Sequence, residues 1–294
     1  MSFVQIKSLA AWLWAWCLAL AVAAGADPEE GSAAKQVQLL GRMDVSRITE
    51  SSGVVASRQF PEVFWTHNDG GKRRPELFAI TRRGKMLAHF TLLGSRLRDW
   101  EDIAIDNQRH LYFGDIGNNE AHRSQLAVYQ VDEPDPKSSG PALSVKRQWT
   151  LCFPKAPFDC ESLFVHQGHG YVISKVFKDK RAEIYRFPLA GEREEVLLEF
   201  VVRLKIESPV TGADLSPDGR FLAVVSKAGA FVWPVQGAFE GLAKVKPLSA
   251  KFSHEHIEGC CFVPEGLLAT AESGEVYLFP LEAFRPGLVW TKPR

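Results

Sequence analysis

The sequence predicts an all-β chain folded as a five-bladed β-propeller, on three observations. A short phrase recurs about every 50 residues, each period holds about four short apolar runs, and no long stretch beyond the N-terminus keeps apolar residues at helical spacing. The phrase is an acidic residue, a few small residues, then an apolar run. It reads Glu50-Ser51-Ser52-Gly53-Val54, Asp99-Trp100-Glu101-Asp102-Ile103, Asp159-Cys160-Glu161-Ser162-Leu163 and His256-Ile257-Glu258-Gly259-Cys260, with a degenerate copy at Val210-Thr211-Gly212-Ala213-Asp214. Anchored on positions 50, 101, 161, 211 and 258, the copies lie 51, 60, 50 and 47 residues apart.

Within each period the runs are five to seven residues long, rich in Val, Leu, Phe and Tyr, and broken by Gly, Pro, Asp and Asn. That is the composition of short strands joined by tight turns. In Ser216-Pro217-Asp218-Gly219 the proline presets φ and the glycine takes the left-handed position of a hairpin. Four strands in such a period make a propeller blade. The stretch from Glu258 to the C-terminus is short of a full repeat, and the strand-like Val37–Met43 run supplies what is missing. The expected arrangement has this N-terminal strand completing the last blade, so that no sheet edge is left open by the ring. Six blades is the alternative, if the longest interval, 101–161, hides two repeats.

Residues 1–26 carry one charge, Lys7, an apolar run from Leu9 to Ala23 and a small-x-small ending at Ala24-Gly25-Ala26, the pattern of a secretory signal peptide. An uncleaved membrane anchor is the alternative. Residues 27–36 read as a polar linker and 37–294 as a single propeller domain. Export places the mature chain in the periplasm or outside the cell, with no membrane association after cleavage, and nothing in the pattern asks for more than a monomer. With Lys7 removed the formal net charge goes from 0 to −1, and no basic run stands out, which argues against nucleic acid as the partner. Four cysteines remain. Cys152 and Cys160 flank a short turn and are a candidate disulfide in an oxidising compartment; Cys260 and Cys261 read as small buried hydrophobes.

In a blade the first strand starts, and the second ends, on the same face of the disc. This places Glu50, Glu101, Glu161 and Glu258 around the mouth of the central channel with Asp69, Asp115, Lys175, Lys227 and Glu272. Carboxylates crowded at an axis need protons, lysines or a metal to coexist. Lys175 and Lys227 are placed as counter-charges, and calcium held by Glu101, Asp115 and Glu161 is the candidate metal, the only cofactor the residues suggest. The bland alternative is that these carboxylates cap backbone amides and lock blade to blade. His67-Asn68-Asp69-Gly70-Gly71 and Gly114-Asp115-Ile116-Gly117-Asn118-Asn119 suit either a tight turn or an oxygen-ligand loop.

The phrases Glu50-Ser51-Ser52-Gly53, Trp65-Thr66-His67-Asn68-Asp69, Asp99-Trp100-Glu101-Asp102, Gly114-Asp115-Ile116-Gly117-Asn118 and Ser216-Pro217-Asp218-Gly219-Arg220 resemble a family of secreted bacterial β-propeller proteins described as WD40-like or TolB-like. The resemblance covers roughly residues 44–280 and implies the fold and export, but no activity. The last blade departs from the family pattern, with Ile257-Glu258-Gly259-Cys260 where a Gly-Glu-Ser phrase is usual.

Whether the chain is an enzyme stays open at this stage. One expectation is a binding propeller that presents its carboxylate- and lysine-lined mouth to a small molecule, a sugar or a protein. Another is a metal-dependent, calcium-type hydrolase of the lactonase or phosphoesterase kind acting at the same mouth. Two-carboxylate glycoside cleavage is permitted, but no pair is singled out. No nucleophile elbow, P-loop or GxGxxG motif occurs.

Overall fold

A computed structural model describes residues 36–71, 73–138, 142–177, 181–191, 195–206, 209–254 and 256–284. The expected signal peptide and all but one residue of the expected linker lie outside them. No helix among the described residues is long and apolar enough to cross a membrane.

The described chain forms five small sheets of antiparallel core strands. Strand β1 (Gln38–Arg42) stands apart at the start. Blade 1 is β2 (Ser51–Ala56), β3 (Val63–Asn68), β4 (Glu76–Thr81) and β5 (Met86–Leu93). Blade 2 is β6 (Trp100–Ile105), β7 (His110–Asp115), β8 (Gln125–Asp132) and, after a short β9 (Ala142–Ser144), β10 (Arg147–Cys152). Blade 3 is β11 (Cys160–His166), β12 (His169–Ser174), β13 (Glu183–Pro188) and, after β14 (Glu195–Leu197), β15 (Glu199–Arg203). Blade 4 is β16 (Val210–Leu215), β17 (Phe221–Ser226), β18 (Gly229–Pro234) and β19 (Leu248–Lys251). Blade 5 is β20 (Ile257–Val263), β21 (Gly266–Ala271) and β22 (Glu275–Pro280), completed by β1 pairing antiparallel to β22. The ring therefore closes with the N-terminal strand, as expected.

The long 101–161 interval does not hide a sixth blade. Its extra residues make β9, which leaves blade 2 and adds in parallel to the outer strand of blade 1, Thr91 opposite Ala142. Strand β14 repeats the manoeuvre one blade on, pairing in parallel with β10 of blade 2, Thr150 opposite Glu195. Each strap covers the outer edge of the preceding blade.

Both faces of every blade are buried, so the strands read as near-continuous apolar runs while alternate residues serve different neighbours. Val54, Phe64, Phe78 and Ile80 pack against Cys261, Leu268 and Val276 of blade 5. Their neighbours Val55, Trp65, Leu77 and Ala79 pack against Ile103, Leu111, Phe113 and Tyr129 of blade 2. The same alternation produces clusters between blades 2 and 3, 3 and 4, and 4 and 5. Five sheets thus enclose five interblade cores.

Neither cysteine of the expected disulfide is bonded; Cys152 and Cys160 are both free. Cys152 ends the outer strand of blade 2, where its sulfur lies 3.5 Å from Gln125 Nε2, while Cys160 opens the innermost strand of blade 3 and packs into the core. The turn between them runs across the blade from rim to axis, which sets them apart. Cys260 and Cys261 are fully buried in two different interblade cores, and burial raises both thiols.

Candidate functional site: the channel mouth

Every innermost strand has a β-bulge at its start, and the bulge determines which side chains face the mouth. Trp100 pairs with Asp115 and Asp102 with Gly114, so Glu101 is the extra residue. By the same register Glu161, Thr211 and Glu258 are the extra residues of blades 3, 4 and 5. A bulge leaves one residue unpaired and re-aims its side chain. In blade 1 the shift lies between Ser51 and Val54, and Ser51 pairs with Asn68 as Trp100 pairs with Asp115. Ser52, not Glu50, is therefore the counterpart of Glu101. Glu50 stands one ring further out, at the level of Asp99, Asp159 and His256. Correspondingly, Ser52 Oγ lies 3.5 Å from Glu101 Oε2 across the blade boundary.

The ends of the second strands obey the same register. Asn68, Asp115, Ser174, Ser226 and Ala271 are equivalent, and the residues that follow are Asp69, Ile116, Lys175, Lys227 and Glu272. Asp115 is thus one position too early to face the mouth. It accepts the Asp99 amide at 3.0 Å and pairs with the buried Arg123 guanidinium at 3.1 Å, while Arg123 also donates to the carbonyls of Gly117 and Asp115. Asp115 organises the Gly114–Asn119 loop, and Asn118 ties that loop to blade 3 by donating its amide to Asp159 Oδ1 at 2.6 Å.

Seven of the nine residues expected at the mouth line one cavity of about 160 Å3: Glu50, Asp69, Glu101, Glu161, Lys175, Glu258 and Glu272. Asp115 and Lys227 do not line it; the Lys227 side chain is exposed at the rim. Among the expected metal ligands, Asp115 is not gathered with Glu101 and Glu161. Among the described residues, the carboxylates that form a group of three with oxygens all within 4.8 Å of one another are Asp69, Asp99 and Glu101. Asp99 is the residue the sequence reading missed, and the acid-x-acid spacing of Asp99/Glu101 and Asp159/Glu161 was the signal for it.

Among the described residues, six carboxylates and one lysine line the cavity, with Arg73 and Lys227 at its edge. Lys175 Nζ lies 2.5 Å from Glu161 Oε1, and Arg73 holds Glu50 in an ion pair. Burial, then the charges of Glu161, Asp69 and Asp99, pushes Glu101 well above the usual carboxylate range. Burial and the Glu161 charge push Glu258 up to about 8, against the pull of Lys175. Burial and the Asp69 charge raise Asp99 to about 6. Burial also raises Glu161, although Lys175 opposes it. Burial alone would lower Lys175, but Glu161, Glu101 and Glu258 outweigh it and hold the ammonium charged. His67 is not part of this cup. It is fully buried against Trp100 and Phe113, and burial lowers it to about 4, so it is a neutral core histidine.

Gly117 forms the wall behind the acidic triad, and a Cβ there would collide with Glu101 Oε1 and an Asp99 carboxylate oxygen. Gly117→Ala is expected to cost about 1–3 kcal/mol by overpacking, seen as a lower melting temperature with an unchanged far-UV spectrum. A melting temperature equal to that of the parent would mean the two carboxylates are free to move.

Below the cup, Asp102 reaches the innermost strands of blades 3 and 4. The residues just after the bulges are Gly53, Asp102, Ser162, Gly212 and Gly259, and Gly53 has no room for a side chain, since a Cβ would stand 2.6 Å from Asp102 Oδ1. Asp102 fills the axis. Its Oδ1 accepts from the Ile103 amide at 2.9 Å, and its Oδ2 accepts from Leu163 of blade 3 at 2.9 Å and Ala213 of blade 4 at 3.2 Å. Asp214 Oδ2 takes the Phe262 amide of blade 5 at 2.8 Å in the same way. Innermost strands are sheet edges whose axial amides need acceptors, and these two carboxylates supply them. Blade-to-blade bonds of the kind considered for the anchor glutamates are made by Asp102 and Asp214.

The strand topology and this mouth define the class: a five-bladed β-propeller with an acidic axial cup. No protein-family model and no curated protein matches the chain. Among solved structures, the hydrazine synthase of Kuenenia stuttgartiensis is similar over 78% of this chain and 71% of that chain, at 10% identity and a TM-score of 0.42.

Proposed function

We propose that the protein is an exported binding propeller whose acidic cup captures a cationic ligand, either a calcium-type ion or the cationic group of a small molecule or protein partner. One observation carries this reading: among the described residues, six carboxylates and one lysine line one small cavity, and burial and neighbouring carboxylates raise Glu101, Glu161 and Glu258. A cation entering the cup relieves that repulsion and displaces protons, so affinity rises with pH. The leader-like residues 1–26 support an extracytoplasmic location.

Calcium is the direct probe. Added to chelator-treated protein at about 100 times its Kd, it is expected to stabilise by about 2.7 kcal/mol, read as a rise in melting temperature. Asp99→Asn is expected to abolish that rise. A melting temperature indifferent to calcium, magnesium and spermidine alike would sink the proposal.

A second reading rests on the approach of Asp69, Asp99 and Glu101 oxygens within 4.8 Å. An ion held there would polarise an ester, lactone or phosphoester and activate water. Calcium-dependent hydrolysis of such substrates, lost in Glu101→Gln, separates this reading from binding alone.

A further inference from the structure

The opposite face of the disc holds a larger cavity, about 590 Å3, which none of the anchor residues reaches. It begins where the inner strands end, at the Ile105–His110 and Leu215–Pro217 turns, and runs outward between blades 2 and 3 to the Gln167–Gly168 hairpin. Its size falls in the range of small-molecule sites, about 300–1,000 Å3.

The polar groups that line it divide sharply. Its two carboxylates are spent on the protein's own donors. Asp106 accepts from the amides of Gln108 and His110 at 2.8 and 2.9 Å, and from the Tyr112 hydroxyl at 3.0 Å, with His110 Nδ1 2.9 Å away. Asp214 takes the Phe262 amide, and burial raises its carboxyl against the pull of the nearby Arg58 charge. Arg147 is spent as well: it stacks over Trp149 and donates to the carbonyls of Leu189 and Gly191 at 2.6 Å each.

Two donors are left over. Arg58 Nε and Trp149 Nε1 are buried atoms without a hydrogen-bond partner, and both residues line this cavity. Trp149 is 1% exposed, so its N–H has no recourse to bulk water. Two other indoles are satisfied, Trp65 Nε1 donating to Glu133 at 2.7 Å and Trp100 Nε1 to the Arg96 carbonyl at 2.8 Å, whereas Arg82 Nε and Arg123 Nε lack a hydrogen-bond partner away from this cavity. Trp233 Nε1 is also unpartnered, but it does not line the cavity. A buried donor without an acceptor is destabilising. Here both orphans are donors, one of them on a permanent cation, and no acceptor is left orphaned among the cavity's carboxylates.

We infer that this interblade cavity is a second binding site, for a small oxyanion, which accepts hydrogen bonds from Arg58 Nε and Trp149 Nε1. A carboxylate or a phosphate group offers the required lone pairs, and its charge joins that of Asp214 around the Arg58 guanidinium. The site is independent of the acidic cup, from which it differs in face and residues, its two arginines being matched by Asp106 and Asp214.

The test uses indole N–H resonances of the purified protein labelled with nitrogen-15, the Trp149 signal being the one lost in Trp149→Phe. D-glucuronate and inorganic phosphate are the two oxyanion probes, and D-glucose is the neutral control. One oxyanion is expected to bind with Kd below about 1 mM and to move the Trp149 resonance downfield, and which probe does so identifies the group. Arg58→Met is expected to weaken it by about tenfold or more; if that variant does not fold, Arg58→Lys keeps the charge, removes Nε and is expected to weaken it several-fold. Calcium titrated alone leaves the Trp149 resonance in place, so loss of the cup proposal does not touch this one. If neither oxyanion moves the Trp149 resonance at about 10 mM, or if glucose moves it equally, the inference is overturned.

Discussion

Asp102→Ala is expected to lower unfolding free energy by about 4 kcal/mol or more, measured by urea denaturation. The side chain is fully buried, and its two oxygens accept amides from three different blades. Removing it strands those amides at the point where five edge strands converge, and it opens a hole that Gly53 has no side chain to fill. Asp102→Asn keeps the shape but turns one acceptor into a donor facing amide donors, so about half the loss or more is expected to remain. A loss below about 1 kcal/mol in the alanine variant would mean that water replaces the carboxylate at the axis.

The second large effect is on pH dependence. Glu258 in the folded protein titrates at about 8, against 4.5 for the free group, because of burial and then the Glu161 charge. An acid whose folded value lies above its unfolded value holds its proton longer in the folded state. Stability is therefore greatest below the unfolded value and falls as pH climbs from about 4.5 to 8. Asp99, raised from 3.8 to about 6, acts in the same direction at the lower end of that window. His67, lowered from 6.5 to about 4, acts oppositely: its contribution is lost as pH falls from 6.5 toward 4. The melting temperature is thus expected to fall between about pH 6.5 and 8.5. Glu258→Gln is expected to recover about 2 kcal/mol at the alkaline end, after allowance for its partial exposure, while changing little near pH 5. A Glu258→Gln melting curve parallel to the parent at every pH would refute the assignment of a raised value to this residue.

Most of the architecture was legible because a propeller repeats its strand pattern with the chain. The Glu258 tail and the Val37–Met43 run each lacked what the other supplied, and β1 pairs with β22 accordingly. The straps β9 and β14 were not legible: three residues carry no periodicity, and their partners are set by tertiary contact. At the site, six of the seven cup residues were read in their proper register, but Glu50 was not. A bulge adds one residue without leaving a mark in composition, so aligning acid on acid put Glu50 where Ser52 stands. The error at Asp115 has another origin: β7 carries no extra residue, and one position along it separates the residue that faces the mouth from the one that holds the loop. Ile116 occupies the mouth-facing position there, and it turns into the core. The apolar pattern placed the strands; the bulges, which re-aim side chains, had to be seen.

The straps have a consequence for how the molecule comes apart. Open repeat arrays unravel from their terminal units, because an end unit is held by one neighbour only. A closed ring has no such unit, and opening any blade tears two apolar interfaces at once. β9 and β14 add a further coupling, since melting blade 2 also strips the strand that covers blade 1, and melting blade 3 strips the one that covers blade 2. Partly melted rings are therefore penalised several times over, and a protein assembled from five similar modules loses its structure as one.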